Sequence, residues 1–135
     1  EFKKTGQIIF GGYGPTAQHS YFQLLHQGTH NICADIILNS QNKHDSLAYS
    51  QGITQARLLS EGAPTLLKDE EIINGNVPVN LFIFDGIDAK KLGFLIATWE
   101  YRVFITSVML QINPFDQFGV NAGKIYTKKY LADKD

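Results

Sequence analysis

Two short segments, far apart in the chain, carry residue types suited to moving protons and holding oxygen atoms. The first is Ala17-Gln18-His19-Ser20-Tyr21-Phe22-Gln23-Leu24-Leu25-His26-Gln27-Gly28-Thr29, and the second is Phe115-Asp116-Gln117-Phe118-Gly119-Val120-Asn121-Ala122-Gly123-Lys124. His19 is expected in the first turn of a helix, where the positive end of the helix dipole favours the neutral imidazole. A neutral imidazole both accepts and donates a proton near neutral pH. His26 falls seven positions later, on the same helical face about two turns away, and His30 follows the helix end. In the second segment the Gln117 amide can hold a phosphate or hydroxyl oxygen. The Lys124 ammonium, about 10 Å further along the axis, can supply charge or a proton. Gly119 and Gly123 flank it, and a glycine inside a helix costs about 1 kcal/mol relative to alanine. That cost predicts close packing, with Lys124 in a cleft. On spacing alone, however, His19, His26, His30 and His44 read first as core or surface histidines. The alternative for Lys124 is a solvated lysine, of which Lys128 and Lys129 are examples, and the flanking glycines set it apart from them.

The elements that must position these groups follow from the apolar pattern. Gln7-Ile8-Ile9-Phe10 is a short apolar run stopped by Gly11-Gly12, and predicts a buried strand. Gly14-Pro15 opens a helix expected to run to Gln27, with Gly28 as a left-handed stop. Asn31 to Leu38 predicts a second strand. Asp45 or Ser46 caps a helix on which Tyr49, Ile53, Ala56 and Leu59 recur at helical spacing, closed by Gly62. Residues 63–79 read as a long surface connection. Asn80 to Asp85 predicts a third strand, and Asp88 caps a long helix to about Leu110. Leu92, Phe94, Leu95, Ile96, Trp99, Val103, Phe104 and Ile105 surround that helix on most sides, so it is expected to be buried. Asn113-Pro114 breaks the run, and Asp116 caps a final amphipathic helix that fades near Tyr130.

Strand–helix alternation of this kind implies an α/β fold with a largely parallel sheet and helices on both faces. Three strands are few for such a sheet, and its edges need partners. The expectation is therefore a sheet completed by strands outside this chain, which also lacks an initiator Met, so the chain looks like part of a larger protein. A small complete three-stranded domain is the alternative.

Composition narrows the function. The chain has 135 residues, 44% hydrophobic and 19% charged, with a net charge of −1. That suits a folded core rather than disorder. It lacks the concentrated basic charge of a nucleic-acid binder. The lone Cys33 cannot form an internal disulfide, no Cys/His cluster has zinc spacing, and a reducing cytosol fits best. No apolar run approaches a membrane span. Gly11-Gly12-Tyr13-Gly14 between strand and helix could admit an anion. It lacks both the Gly-Lys-Ser/Thr ending of a P-loop and the third glycine of a dinucleotide fingerprint, and taken alone it reads as a tight turn.

The two segments together resemble signatures of the glucose-6-phosphate isomerase family. Gln18-His19 with Gln23-Leu24-Leu25-His26-Gln27-Gly28-Thr29 is similar to G-Q-H-x-x-Y-Q-L-I-H-Q-G-T. Phe115-Asp116-Gln117-x-Gly119-Val120 with Lys124 is similar to F-D-Q-x-G-V-E-x-x-K. Asn74-Gly75-Asn76-Val77-Pro78-Val79-Asn80 is similar to E-G-N-R-P-S/T-N. Order and spacing agree over nearly the whole chain. The resemblance implies a partial three-layer sandwich of the sugar isomerase type. Residues 1–131 would form the C-terminal part of the isomerase α/β domain, with 132–135 a polar tail. It also implies a cytoplasmic enzyme of glycolysis and gluconeogenesis that interconverts glucose 6-phosphate and fructose 6-phosphate without metal or organic cofactor.

By the same resemblance His19 is the ring-opening histidine, Lys124 assists ring opening and meets substrate oxygens, and Gln117 contacts the phosphate. The family's enediol base is a glutamate that precedes the part seen here, as do its phosphate-holding Ser/Thr loop and an arginine. Glu100 aligns with a helix position that is not the base. The isolated chain is thus expected to be inactive, and a homodimer with shared sites and the missing N-terminal portion are the implied partners. Neither nucleic acid nor membrane is implied. The chain departs from the family pattern at Val77 (for Arg), Asn121 (for Glu), Phe118 (for Trp) and Pro15-Thr16-Ala17 (for T-N-G). These bear on dimer contacts and pH optimum more than on the reaction. The connection after Gly62 is shorter than in animal relatives, in keeping with a compact bacterial-type or divergent enzyme. A non-catalytic sugar-phosphate-binding regulator on the same fold would keep Gln117 but need not keep His19 and Lys124. A nucleotide-binding α/β domain rests on the glycine loop alone.

Overall fold

A β-strand, a helix and a second parallel strand organise the part of the protein between residues 34 and 84. The computed structural model describes residues 5–41, 43–63 and 68–133. It divides into two units, one of Gly6–Leu92 and one built on residues from Gly93 onward.

In the first unit β1 (Ala34–Asn39) pairs in parallel with β2 (Val79–Phe84), from Ala34 opposite Val79 to Asn39 opposite Phe84. The ladder is extended at both ends by Ala34 N–H to the Pro78 carbonyl (2.9 Å) and Ser40 N–H to the Phe84 carbonyl (2.7 Å). On the paired residues Asp35 and Asn80, the Asn80 amide donates to Asp35 Oδ1 at 2.9 Å, which reinforces the register.

Parallel neighbours need a crossover. Its helix lies in Leu47–Glu61, numbered α3 below because two short helices precede it. Ser46 caps it: its hydroxyl accepts from Tyr49 N–H at 3.2 Å. The helix packs on both strands. Its inward residues Ala56 and Leu59 are buried, Leu59 to 1% exposure, and Leu38 of β1 is buried as well. Full burial of a leucine contributes about 1.5–3 kcal/mol. Gly62 ends α3 with φ 79°.

A hairpin-like return follows, with Ala63 bridging antiparallel to Ile73. Gly62 and Gly75 face each other across it, both with positive φ. A Cβ on Gly75 would lie 2.4 Å from Gly62 N, and one on Gly62 would lie 2.5 Å from the Ile73 carbonyl oxygen. Only glycine allows both the φ and the approach. Asn76 N–H and Val77 N–H then bond to the carbonyls of Ser60 and Leu59, at 2.9 and 3.0 Å. The surface connection expected over 63–79 is thus partly laced onto α3. A 3-10 turn occupies Asp69–Glu71, and residues 64–67 of that connection lie outside the described residues.

The N-terminal part differs from the sequence expectation. Residues 7–10 form no strand, and Ile8 is 93% exposed. An apolar run becomes a strand only where a neighbour accepts its hydrogen bonds, and none does so among the described residues. The single helix expected from Gly14 to Gln27 is two, α1 (Gly14–Ala17) and α2 (Phe22–Gln27). At the break Ser20 Oγ donates to the Ala17 carbonyl at 3.1 Å, competing with the helical ladder, and Tyr21 leaves helical geometry at φ −132°. Gly28 is not left-handed: its φ is −70°. Space is what it supplies, since a Cβ there would lie 2.3 Å from the Leu24 carbonyl oxygen.

The long helix α4 (Ala89–Leu110) starts where expected. Asp88 Oδ1 accepts from Lys91 N–H at 2.8 Å, and Lys91 Nζ lies 3.3 Å from Asp88 Oδ2. Its burial differs from the expectation: Leu95 and Ser107 are buried, but Phe94, Ile96, Val103, Phe104 and Ile105 are exposed. A helix apolar all round predicts cover on all sides, and the described residues leave these side chains exposed to solvent. The final helix α5 (Phe118–Ala132) has Gln117, not Asp116, at its N-cap, with no side-chain cap bond.

Candidate active site

His19 sits on an exposed turn between α1 and α2, its N–H bonded to the Thr16 carbonyl at 3.2 Å. It follows a four-residue helix and so stands at the C-terminal end of α1, not in the first turn of a long helix. It is therefore not at the helix N-terminus expected from the sequence. The break also removes the helical-face relation between His19 and His26. Tyr21 joins this turn to the preceding segment, its ring edge-on to Phe10 at 5.2 Å and stacked on Phe22 at 5.7 Å.

His26 has a separate environment. Its Nε2 lies 2.7 Å from Gln55 Oε1 on α3, and its Nδ1 is buried with no hydrogen-bond partner among the described residues. Gln27, exposed beside it, donates from Nε2 to the carbonyls of Glu70 (3.2 Å) and Ile72 (3.1 Å) and accepts from Gln23 Nε2 at 2.5 Å. A small pocket lies among Gln23, His26, Gln27, Glu70, Glu71 and Ile73. Sequence reasoning missed Gln55, Gln23 and Gln27 as fixing groups. The signal was present for α2, whose Gln23 and Gln27 lie four apart on one helical face. Nothing local marks Gln55 as the partner of His26.

In the second unit Gln117 and Lys124 are brought onto one helix, seven residues apart. Gln117 occupies the N-cap, one place before its expected helical position, and its carbonyl accepts from Asn121 N–H at 3.0 Å. Both side chains are exposed. Lys124 lines a shallow, open depression with Asn121, Thr127 and Lys128, rather than a cleft. Gly119 and Gly123 have open space where a Cβ would stand, so the close packing expected of them is not found. Gln117 and Lys124 thus share a helix, and His19 belongs to the other unit. Among the described residues no group of three or more His, Cys, Asp or Glu side chains could hold a metal ion. No helix there is long and apolar enough to cross a membrane.

Comparison with known proteins decides the family. The family model described as phosphoglucose isomerase matches residues 2–135. The chain belongs to the phosphoglucose isomerase family. Its similarity to the glucose-6-phosphate isomerase of Legionella pneumophila (strain Lens) is 42% identity over 121 residues, covering 89% of this chain and 24% of that protein. The isomerase of Acinetobacter venetianus is 38% identical over 150 residues, covering 94% of this chain and 27% of the relative. A solved structure, the glucose-6-phosphate isomerase from Chlamydia trachomatis D/UW-3/Cx, superposes with a TM-score of 0.86 at 24% identity. That match covers 97% of this chain and 27% of the other, and it supports the α/β architecture. The chain therefore spans about a quarter of the length of the phosphoglucose isomerases it matches.

Proposed function

We propose that this chain is the C-terminal portion of a glucose-6-phosphate isomerase. The whole enzyme interconverts glucose 6-phosphate and fructose 6-phosphate in the cytoplasm, in glycolysis and gluconeogenesis, and needs no cofactor. The observation that carries the reading is the family match across residues 2–135, which contains both site segments. Residues 1–131 belong to the isomerase α/β domain, with 132–135 as a polar tail.

In this reading the substrate enters as a closed hexose ring. His19 delivers a proton to the ring oxygen as the bond from that oxygen to C1 breaks, and a second group takes the C1 hydroxyl proton to leave an aldehyde. An imidazole suits the proton donation. Lys124 supplies positive charge to the substrate oxygens, and the Gln117 amide donates to the phosphate. The transfer between C2 and C1 through an enediol needs a carboxylate base from a segment outside this chain, and the complete sites form in a homodimer.

The test is His19→Ala in the complete enzyme, assayed on glucose 6-phosphate and on a shorter aldose phosphate that cannot close a ring. Turnover of the ring-closed sugar should fall by about 10²–10⁴-fold, the usual reach of general acid–base catalysis, while the open sugar is still turned over. Equal activity on both substrates in the variant and the parent would refute the assignment. The second reading, a sugar-phosphate-binding regulator, gains ground only if the intact protein binds hexose phosphate calorimetrically without turning it over.

A further inference from the structure

His19 rides on a turn that its flanking helices are too short to hold. α1 has four residues and α2 has six, and isolated helices shorter than about 12 residues are marginal in water. The position of the turn is set by whatever ties its two flanks to the rest of the unit. On the N-terminal flank α1 packs on α3, and its Ala17 is buried. On the C-terminal flank α2 also packs against α3, and the hydrogen bond between His26 Nε2 and Gln55 Oε1, 2.7 Å long and partly buried, ties a side chain of α2 to that helix. An amide oxygen only accepts, so Nε2 donates in this bond, and Nδ1 is buried with no hydrogen-bond partner among the described residues. The bonds of Gln27 to the carbonyls of Glu70 and Ile72 are exposed and compete with water. The His26–Gln55 bond, in a drier place, is the firmer restraint. α3 is itself anchored by buried Ala56 and Leu59, with Ala56 next to Gln55 in the chain.

We infer that His26 is a positioning residue for His19: by bonding to Gln55 it pins the C-terminal flank of the turn to the same rigid helix that holds the N-terminal flank. Ring opening requires the His19 imidazole at a fixed place relative to the ring oxygen, and a displacement of about 1 Å can cost a hundredfold in rate. The inference rests on the assignment of ring opening to His19 made above.

The experiment uses the complete enzyme with five proteins: parent, His19→Ala, His26→Leu, His26→Gln and Gln55→Met. His26→Leu removes the donor, Gln55→Met removes the acceptor from the α3 side, and His26→Gln keeps an N–H on an atom that can reach Gln55. Two readouts are taken. One is the ratio of turnover on the ring-closed hexose phosphate to that on the aldose phosphate that cannot close. The other is hydrogen–deuterium exchange over residues 17–27, with thermal unfolding to confirm the fold. The expected result is a ratio lowered roughly tenfold to hundredfold in His26→Leu and Gln55→Met, faster exchange across the turn in both, and recovery of both readouts in His26→Gln.

Unchanged exchange in His26→Leu and Gln55→Met overturns the positioning role whatever the activity shows. So does faster exchange with an unmoved ratio in an enzyme whose ratio His19→Ala does lower. If His19→Ala itself leaves the ratio unmoved, the assignment of ring opening has failed and takes the positioning role with it. The two failures are thereby told apart. Should His26→Leu not fold, Gln55→Met decides the matter in the same way.

Discussion

Asp88 shows how one carboxylate both starts a helix and makes it sensitive to acid. The Lys91 N–H donates to it, with the Lys91 ammonium as a further partner, and together they hold its carboxyl below the ordinary value of 3.8, against a smaller opposing effect of desolvation. A carboxyl whose folded value is depressed stabilises the fold fully above its unfolded value. That contribution is lost as pH falls below 3.8 through the lowered folded value. Asp88→Asn keeps a neutral acceptor for the helix start, so its thermal midpoint should lie below the parent's at about pH 7, and the gap should narrow as the pH falls below 3.8. A gap that stays constant over that range would show that the charge of Asp88 contributes nothing. At this scale the sequence was readable where a residue acts on its own neighbours. Ser46, Asp88 and Gly62 perform their caps as expected. His19 and Gly28 did not follow expectation, because a hydroxyl at Ser20 and a crowded carbonyl at Leu24 decide their geometry, and neither is visible in helix periodicity.

Two glycines inside helices carry opposite expectations at the scale of elements. Gly52 in α3 faces β1, and a Cβ there would lie 2.4 Å from Leu38 Cδ2. Leu38 is buried and has little room to move. Gly93 in α4 has nothing within 4 Å of the same position. Gly52→Ala should therefore destabilise by about 1–3 kcal/mol through overpacking, despite alanine's better helix propensity. Gly93→Ala should stabilise by about 0.5–1 kcal/mol. Denaturant unfolding of both variants checks the pair, and a Gly52→Ala/Leu38→Val double variant should regain most of the loss. Sequence pattern located α3, α4 and both strands of the observed sheet to within a few residues, because each has one periodicity and clear stop signals. It failed on the Gln7–Phe10 strand and on the burial of α4 for a common reason. Apolar pattern states what an element needs, and whether the need is met depends on partners that the pattern does not contain.

Considered as a molecule, the chain presents many large apolar side chains to solvent, among them Ile8, Leu47, Met109, Phe115 and Phe118. Exposed apolar surface on this scale marks places where protein surface binds. The chain purified by itself should show no isomerase turnover and should bind an apolar dye strongly. Turnover by the chain alone would overturn the proposal that its base lies elsewhere. The candidate site was legible as residue types in order, His19, Gln117 and Lys124, but not as an assembled constellation, since the two segments fall in different units. The parallel pair of strands has a further consequence, for the time the fold takes to form. Asp35 and Asn80 stand 45 residues apart in the chain, so their ladder repays the entropy of closing a long loop only after that loop is closed. Every turn of α3 that forms first shortens the slack between them. Early formation of the crossover helix therefore lowers the entropic cost of bringing the two strands together.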